Sequence, residues 1–236
     1  KVVPMKNETR KAKTRKVINP GYANITSINY YLANRNNFKD LYKSEKKFFK
    51  KAVINSNTIL DVGCSVGNFV NVIKSIKRRF EYTGLDIKPK LIKIAKKRFP
   101  KHHFKIIKNS NFHERNKYDL VFSFGTLHHI KNYKNYIKQM VVSSKKYVIF
   151  DVRITKEKTV NSEKQYQKIY FSGNYDGKSK IKYITINKKE FSLFLGNLTK
   201  NYVCKTYSYK HKVSKNFVGK YTKVLMKVVF IDKSKN

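Results

Sequence analysis

Between residues 59 and 152, short apolar runs alternate with amphipathic stretches, and no other feature of the chain limits its fold as sharply. The runs at 59–62, 81–86, 104–107, 118–123 and 147–152 have strand length and are rich in Ile, Val, Leu, Phe and Tyr. Helical spacing at 67–79, 89–98 and 133–143 lies between them, with Pro89 suited to a first helical turn and Pro100 closing the same helix. Strands joined through helices of about ten residues need crossover connections, so a parallel sheet with helices on both faces is expected. At 236 residues the chain fits one large α/β domain or one domain with an appendage, and a single domain is expected.

Residues 1–20 are basic, lack a hydrophobic period and read as a flexible tail. Residues 21–56 read as an N-terminal lid or helical segment. It begins with the aromatic, Asn-rich stretch GYANITSINYYLANRNNF, followed by a helix from Asn37 that puts Phe38, Leu41, Tyr42, Phe48, Phe49, Ala52 and Val53 on one stripe. Residues 57–236 form the core, with an insertion at about 153–187 containing the polar stretch SGNYDGKSK, then a helix near 188–199 and strand-like runs at 202–213 and 223–232.

The formal net charge is +40, from 54 Lys+Arg against 14 Asp+Glu. Two causes compete. Such a charge suits a polyanionic partner, yet only eight of the basic residues are Arg, and the chain is also crowded with Asn, Ile, Tyr and Phe, the residues of A/T-rich codons. Lysine is spread along the whole chain, whereas nucleic-acid surfaces tend to cluster charge and use arginine forks. Two cysteines, Cys64 and Cys204, build neither a disulfide framework nor a metal-spaced pair, which suits a reducing cytoplasm and leaves no metal expected. No run approaches ~18 uninterrupted apolar residues, so no membrane span is expected.

In an open parallel sheet a ligand binds beyond the carboxyl ends of the strands. The stretch ILDVGCSVGNF puts Gly63 and Gly67 there, in a strand-to-helix turn where missing side chains would let backbone N–H groups approach a ligand. Residues 63–68 read GCSVGN, so the dinucleotide fingerprint GxGxxG is absent, which argues against a nicotinamide-dependent oxidoreductase. Asp86 ends the second strand about twenty residues later, where a carboxylate can accept both hydroxyls of a ribose and would repel a phosphate. Asn109 and Asn111 in KNSNF share that edge, and the fourth strand ends in SFGTLHHI with its two histidines.

Taken together, DVGCSVGNF, YTGLDI, KNSNF and YDLVFSFGTLHHI resemble, in order, the motifs of class I S-adenosylmethionine-dependent methyltransferases over about residues 57–153. The resemblance implies a Rossmann-like, seven-stranded, mostly parallel sheet whose last strand runs antiparallel. It implies S-adenosyl-L-methionine as cofactor and S-adenosyl-L-homocysteine as product. Cofactor contacts would fall at Asp61, Gly63, Cys64, Ser65 and Gly67 in the loop region, at Asp86 for the ribose and at Ile87 for adenine. Asn109, Ser110 and Asn111 would serve the adenine side, and Ser123, Phe124 and Gly125 the end of the fourth strand. Two departures stand out: Ser65 where the family usually has Gly or Ala, and Asn109 where many members carry Asp.

A sulfonium is already a strong electrophile, so the protein mainly has to align a nucleophile with the S–CH3 bond. His128 and His129 are candidates for removing the acceptor's proton; alternatively, one packs on the cofactor and the other caps the next helix. Arg153 would meet an acidic substrate or pair with Asp151 or Glu157. Tyr30, Tyr31 and Arg35 would form part of a substrate lid or an ordinary aromatic cluster. The fourth strand lacks the [DN]PPY pattern of enzymes that methylate exocyclic amines of DNA bases, and Pro-Cys and Thr-Cys pairs of cytosine C5 enzymes are missing. The expectation is therefore methyl transfer to an O or N atom of a small molecule, a sugar or related metabolite. The alternative is an RNA methyltransferase that meets nucleic acid through the basic surface.

Overall fold

A computed structural model describes residues 25–107, 111–112, 115, 117–161, 164–171 and 174–234; the basic tail lies outside the described residues. The first five strands are β1 Thr58–Val62, β2 Glu81–Asp86, β3 His103–Ile106, β4 Tyr118–Ser123 and β5 Ser144–Thr155. After them come β6 Tyr166–Phe171, β7 Asn174–Lys182, β8 Ile186–Asn187, β9 Val203–Lys212, β10 Phe217–Val218 and β11 Lys223–Asp232. The helices are α1 Ile25–Ala33, α2 Lys43–Ile54, α3 Phe69–Lys74, α4 Pro89–Arg98, α5 Tyr133–Ser143 and α6 Lys188–Leu198.

The main sheet runs β3-β2-β1-β4-β5-β11-β9, with the short β8 beside β5. β1 to β5 pair in parallel, while β11 enters antiparallel between β5 and β9. The expected Rossmann-like sheet with an antiparallel last strand is thus the one observed. Strand alternation divides its core into two layers. In β1, Ile59 joins Phe49, Phe69, Tyr82 and Ile92 on one face, while Leu60 and Val62 join Ile137, Met140 and Phe191 on the other.

The single helix expected from Asn37 is broken. Asp40 accepts the amides of Asn36 and Asn37 at 2.9 and 2.8 Å, closing a short 3-10 turn at Phe38–Asp40, and Glu45 then accepts the Tyr42 amide at 2.9 Å to start α2. Two capping carboxylates in succession win over the continuous apolar stripe. The helix expected at 67–79 is likewise shorter, because Gly67 is left-handed at its start and the Ser75 hydroxyl donates to Val72 O at its end.

A second sheet, β10-β6-β7, comes from the insertion and borrows its third strand from residues 217–218. Its inner face stands over the carboxyl ends of β4 and β5, with Tyr183, just beyond β7, against Phe217 at a ring separation of 4.8 Å. No helix among the described residues is long and apolar enough to cross a membrane.

Candidate active site

Two groups of residues converge beyond the carboxyl ends of the parallel strands: a rim at β1, β2 and α1, and a buried chamber at β4 and β5. At the rim, Gly63 and Gly67 hold φ of +90° and +80°, and a Cβ on Gly63 would collide with Thr126 Oγ1. Both glycines are needed for backbone geometry and close packing within the protein. The amides expected to approach a ligand are already donating: Gly63 N and Cys64 N to Leu85 O at 2.7 and 2.9 Å, and Gly67 N to Cys64 O at 2.9 Å.

Ser65 N donates to Asp86 Oδ2 at 3.0 Å, and Lys88 N donates to Asp86 Oδ1 at 2.9 Å. The loop and the acid therefore face and touch each other. Burial pushes the Asp86 carboxyl up from the ordinary range, opposed by the backbone donors of Lys88, Ser65 and Ile87. Ser65 is left-handed at φ +51°, and its hydroxyl is buried with no hydrogen-bond partner. Ile87, beside Asp86, is 57% exposed and leaves an apolar surface at the rim.

Other expected contacts lie deeper. Asp61 is buried beneath the loop, where Tyr82 Oη donates to it at 2.6 Å, and burial raises its carboxyl to about 7. Cys64 is buried with its thiol pushed well up by burial and by Asp61, the opposite of an activated nucleophile. Ser123 is buried and donates to Val62 O at 2.7 Å, while Phe124 belongs to the aromatic core with Phe49, Phe69 and Phe122. Asn111 is exposed in the connection after β3, and Asn109 and Ser110 fall outside the described residues.

α1 lies over the rim. Ile28 packs on Val66 and Leu91, and Asn68 donates its side-chain amide to the carbonyls of Tyr31 and Asn34. Tyr31 is close enough to Asp86 that the carboxylate, after burial, raises its phenol. Arg98 holds the loop from the other side, donating to Val66 O at 2.7 Å and to Asn68 Oδ1.

The chamber is built from buried charge. Arg35, left-handed at φ +56°, pairs with the fully buried Glu45 at 2.8 Å and lies over Gly125, whose amide donates to Asp151 Oδ1 at 2.7 Å. Arg153 pairs with Asp151 and donates to the Tyr183 hydroxyl at 3.2 Å, so of the two partners expected for it, Asp151 is the one it takes. Burial lifts Glu45 to about 7 despite Arg35. Such pairs are costly to desolvate and are weak evidence of stability, which makes the site the better explanation for them.

His128 and His129 lie in a 3-10 turn, Leu127–His129, and neither caps α5, which begins after Asn132. Their rings are 3.8 Å apart, and His128 sits 4.8 Å from the Tyr183 ring. His129 Nδ1 is 2.6 Å from Lys182 O, an acceptor only, so Nδ1 carries the proton and Nε2 is the basic nitrogen. Burial lowers the His129 ring to about 4, leaving it neutral at pH 7. His128 is buried with Nδ1 unpartnered. Arg35 and Tyr30 line a cavity of about 270 Å³ with Asn34, Asp40 and Tyr42, whereas Tyr31 turns toward Asp86.

Residues 60–145, which carry most of this geometry, match the family model described as a methyltransferase domain. The chain carries a class I S-adenosylmethionine-dependent methyltransferase domain. A protein of Invertebrate iridescent virus 6 named methyltransferase 235L is 33% identical over 153 residues, covering 60% of this chain and 58% of the relative. The match thus spans less than two thirds of that relative's length. Among solved structures, the N-terminal domain of EvdMO1, crystallised in the presence of SAH and D-fucose, superposes with a TM-score of 0.56 at 12% identity, covering 78% of this chain and 79% of that one. An S-adenosylmethionine dependent methyltransferase from Listeria monocytogenes gives 0.53 at 14% identity over 76% and 92% of the chains. At these identities the two structures establish the fold of the methyltransferase domain.

The rim residues fit the methyl donor's nucleoside. A partnerless buried hydroxyl on Ser65, a carboxylate on Asp86 held by amides that leave lone pairs over, and the exposed Ile87 meet at one place. Three chamber groups carry no sequence signal: Glu45 reads as an ordinary surface charge, and Tyr183 and His211 lie in segments without a motif. The lowered ring of His211, through burial and then Arg153, places it at the chamber's edge, 5.1 Å from Tyr42.

Proposed function

We propose that the protein transfers a methyl group from S-adenosylmethionine to an O or N atom of a small polar molecule admitted between α1 and the small sheet. Bound at the rim, the cofactor supplies an electrophilic methyl carbon. Asp86 accepts the ribose hydroxyls, Ser65 Oγ finds there the partner it lacks within the protein, and Ile87 packs on the base. At the chamber, Arg35 and Arg153 fix the acceptor while α1, Tyr183 and Phe217 keep water out. So held, the acceptor's lone pair would lie in line with the methyl carbon, and the C–S bonding pair would stay with sulfur on transfer. The acceptor proton becomes acidic as the methyl group transfers, and the neutral His129 takes it on Nε2. The observation that carries this reading is the hydrogen bond from the Ser65 amide to Asp86, which joins the glycine turn and the lone acid in one rim.

The competing acceptor is RNA, favoured by the net charge of +40. Calorimetry with S-adenosylmethionine tests the rim, and label transfer from methyl-labelled cofactor into sugars, related metabolites or RNA tests the acceptor. No cofactor binding would overturn the reading as a whole, and label entering RNA alone would replace the small molecule by the alternative.

A further inference from the structure

We propose that the outer face of the β6–β7 hairpin is a docking surface for single-stranded nucleic acid, whatever the methyl acceptor proves to be. Antiparallel pairing sets Tyr166 opposite Lys182 and Lys168 opposite Lys180, and after a register shift beyond Lys168 it sets Tyr170 opposite Tyr175, whose ring contacts with Lys168 and Tyr170 bring it to the same face. The other face carries the buried Ile169 and Ser179 toward the chamber. On the outer face the Tyr170 and Tyr175 rings are 5.7 Å apart, Lys168 Nζ lies 5.1 Å from the Tyr175 ring, and Lys180 Nζ lies 5.0 Å from that of Tyr166. Lysine and tyrosine are both frequent in this chain, so what distinguishes this surface is their placement: Lys180 against Tyr166, Lys168 against Tyr175 and Tyr170 against Tyr175, on the face turned away from the chamber.

The chemistry selects the partner. Tyrosine faces stack on bases only where those bases are unpaired, and lysines meet the phosphates between them. Tyr166 and Tyr170 stand about 13 Å apart along the strand, which spaces two stacking platforms around a central cation. The six residues include no arginine fork, so the face binds without reading sequence. Asp176 is the one acid among the described residues of β6, β7 and β10, and it is committed to its own turn, accepting Lys178 N at 2.9 Å and Ser179 N at 2.7 Å.

Because a chain of this charge binds any polyanion, the test must separate stacking from charge. Fluorescence anisotropy of the full chain would be measured with labelled oligoadenylate, an RNA duplex of equal length and a heparin fragment. The triple variant Tyr166→Ala, Tyr170→Ala, Tyr175→Ala is expected to bind oligoadenylate about tenfold more weakly or worse, with duplex and heparin changed less than about twofold. The triple variant Lys168→Gln, Lys180→Gln, Lys182→Gln should weaken all three and reduce the salt slope on the single strand by about 0.7 for each phosphate no longer neutralised. Tyr175→Ala alone, at a ring outside the buried hydrophobic clusters, guards against misfolding and should show part of the same selective weakening. Equal affinity of the wild type for all three polyanions, or single-strand affinity untouched by the tyrosine changes, would overturn the proposal.

Discussion

The rim and the chamber lie at the same edge of one sheet but are built on opposite principles. At the rim, backbone amides, two left-handed glycines and one carboxylate do the work, and their order along the chain is the order of β1, α3 and β2. In the chamber, charged side chains from four separate positions meet, Arg35, Glu45, Asp151 and Arg153, with the His211 ring at the edge and Tyr183 added from the roof. A local turn can be specified by a local motif. A cluster of distant side chains is specified only by the fold that brings them together.

If that contrast is right, changes in the chamber should affect stability and turnover, and changes at the rim should affect cofactor binding. The largest effect belongs to the chamber: Arg153→Ala strands the buried Asp151 carboxylate and should cost about 3–5 kcal/mol in urea unfolding. A cost under about 1 kcal/mol would mean that water reaches the pair. Next, Asp86→Ala removes charge-assisted hydrogen bonds and should weaken S-adenosylmethionine binding by about 3 kcal/mol, roughly a hundredfold, in calorimetry. Normal affinity there would break the rim assignment. His129→Ala should lower kcat by about a hundredfold while leaving cofactor affinity within about twofold, and unchanged turnover would remove His129 from proton transfer.

Smaller effects sharpen the comparison through pH. Asp61 and Glu45 both have carboxyls raised to about 7 by burial, above their unfolded values of 3.8 and 4.5. Between those values the folded state holds protons that the unfolded state has released, so stability falls as pH rises from about 4 to about 7. Asp61→Asn keeps an acceptor for Tyr82 and should reduce that slope, with Glu45→Gln reducing the remainder; unfolding at pH 5 and 7.5 measures it. A slope unchanged by both substitutions would show these acids ionised in the folded protein. The smallest change is Ser65→Gly, which relieves a left-handed residue worth about 1 kcal/mol. It should raise the melting temperature slightly yet weaken cofactor binding severalfold, because the orphan hydroxyl is removed.

The legibility of the parts follows the same division. The helix at Pro89–Arg98 and the strand at Tyr118–Ser123 have the expected bounds, since proline punctuation and a continuous apolar run mark them locally. The break before α2 was hidden because Asp40 and Glu45 read as ordinary surface charges until they cap amides three and four residues away. β6 and β7 were hidden because Tyr and Lys alternate with polar residues and only Ile169, Phe171 and Ile181 are aliphatic or Phe, too weak an alternation to mark a strand. Thr126, which fills the space above Gly63, had no signal at all, being 63 residues away in sequence.

The amino-acid sequence alone determined the parallel sheet, the strand-to-helix turn and the acid at the end of β2, because each rests on periodicity or on spacing within a single crossover. The tertiary structure decided which charges are paired, which histidine nitrogen carries the proton, and which surfaces of the small sheet face the chamber or solvent. Those properties depend on burial and on contacts between segments far apart in the chain, and neither is encoded at any one position.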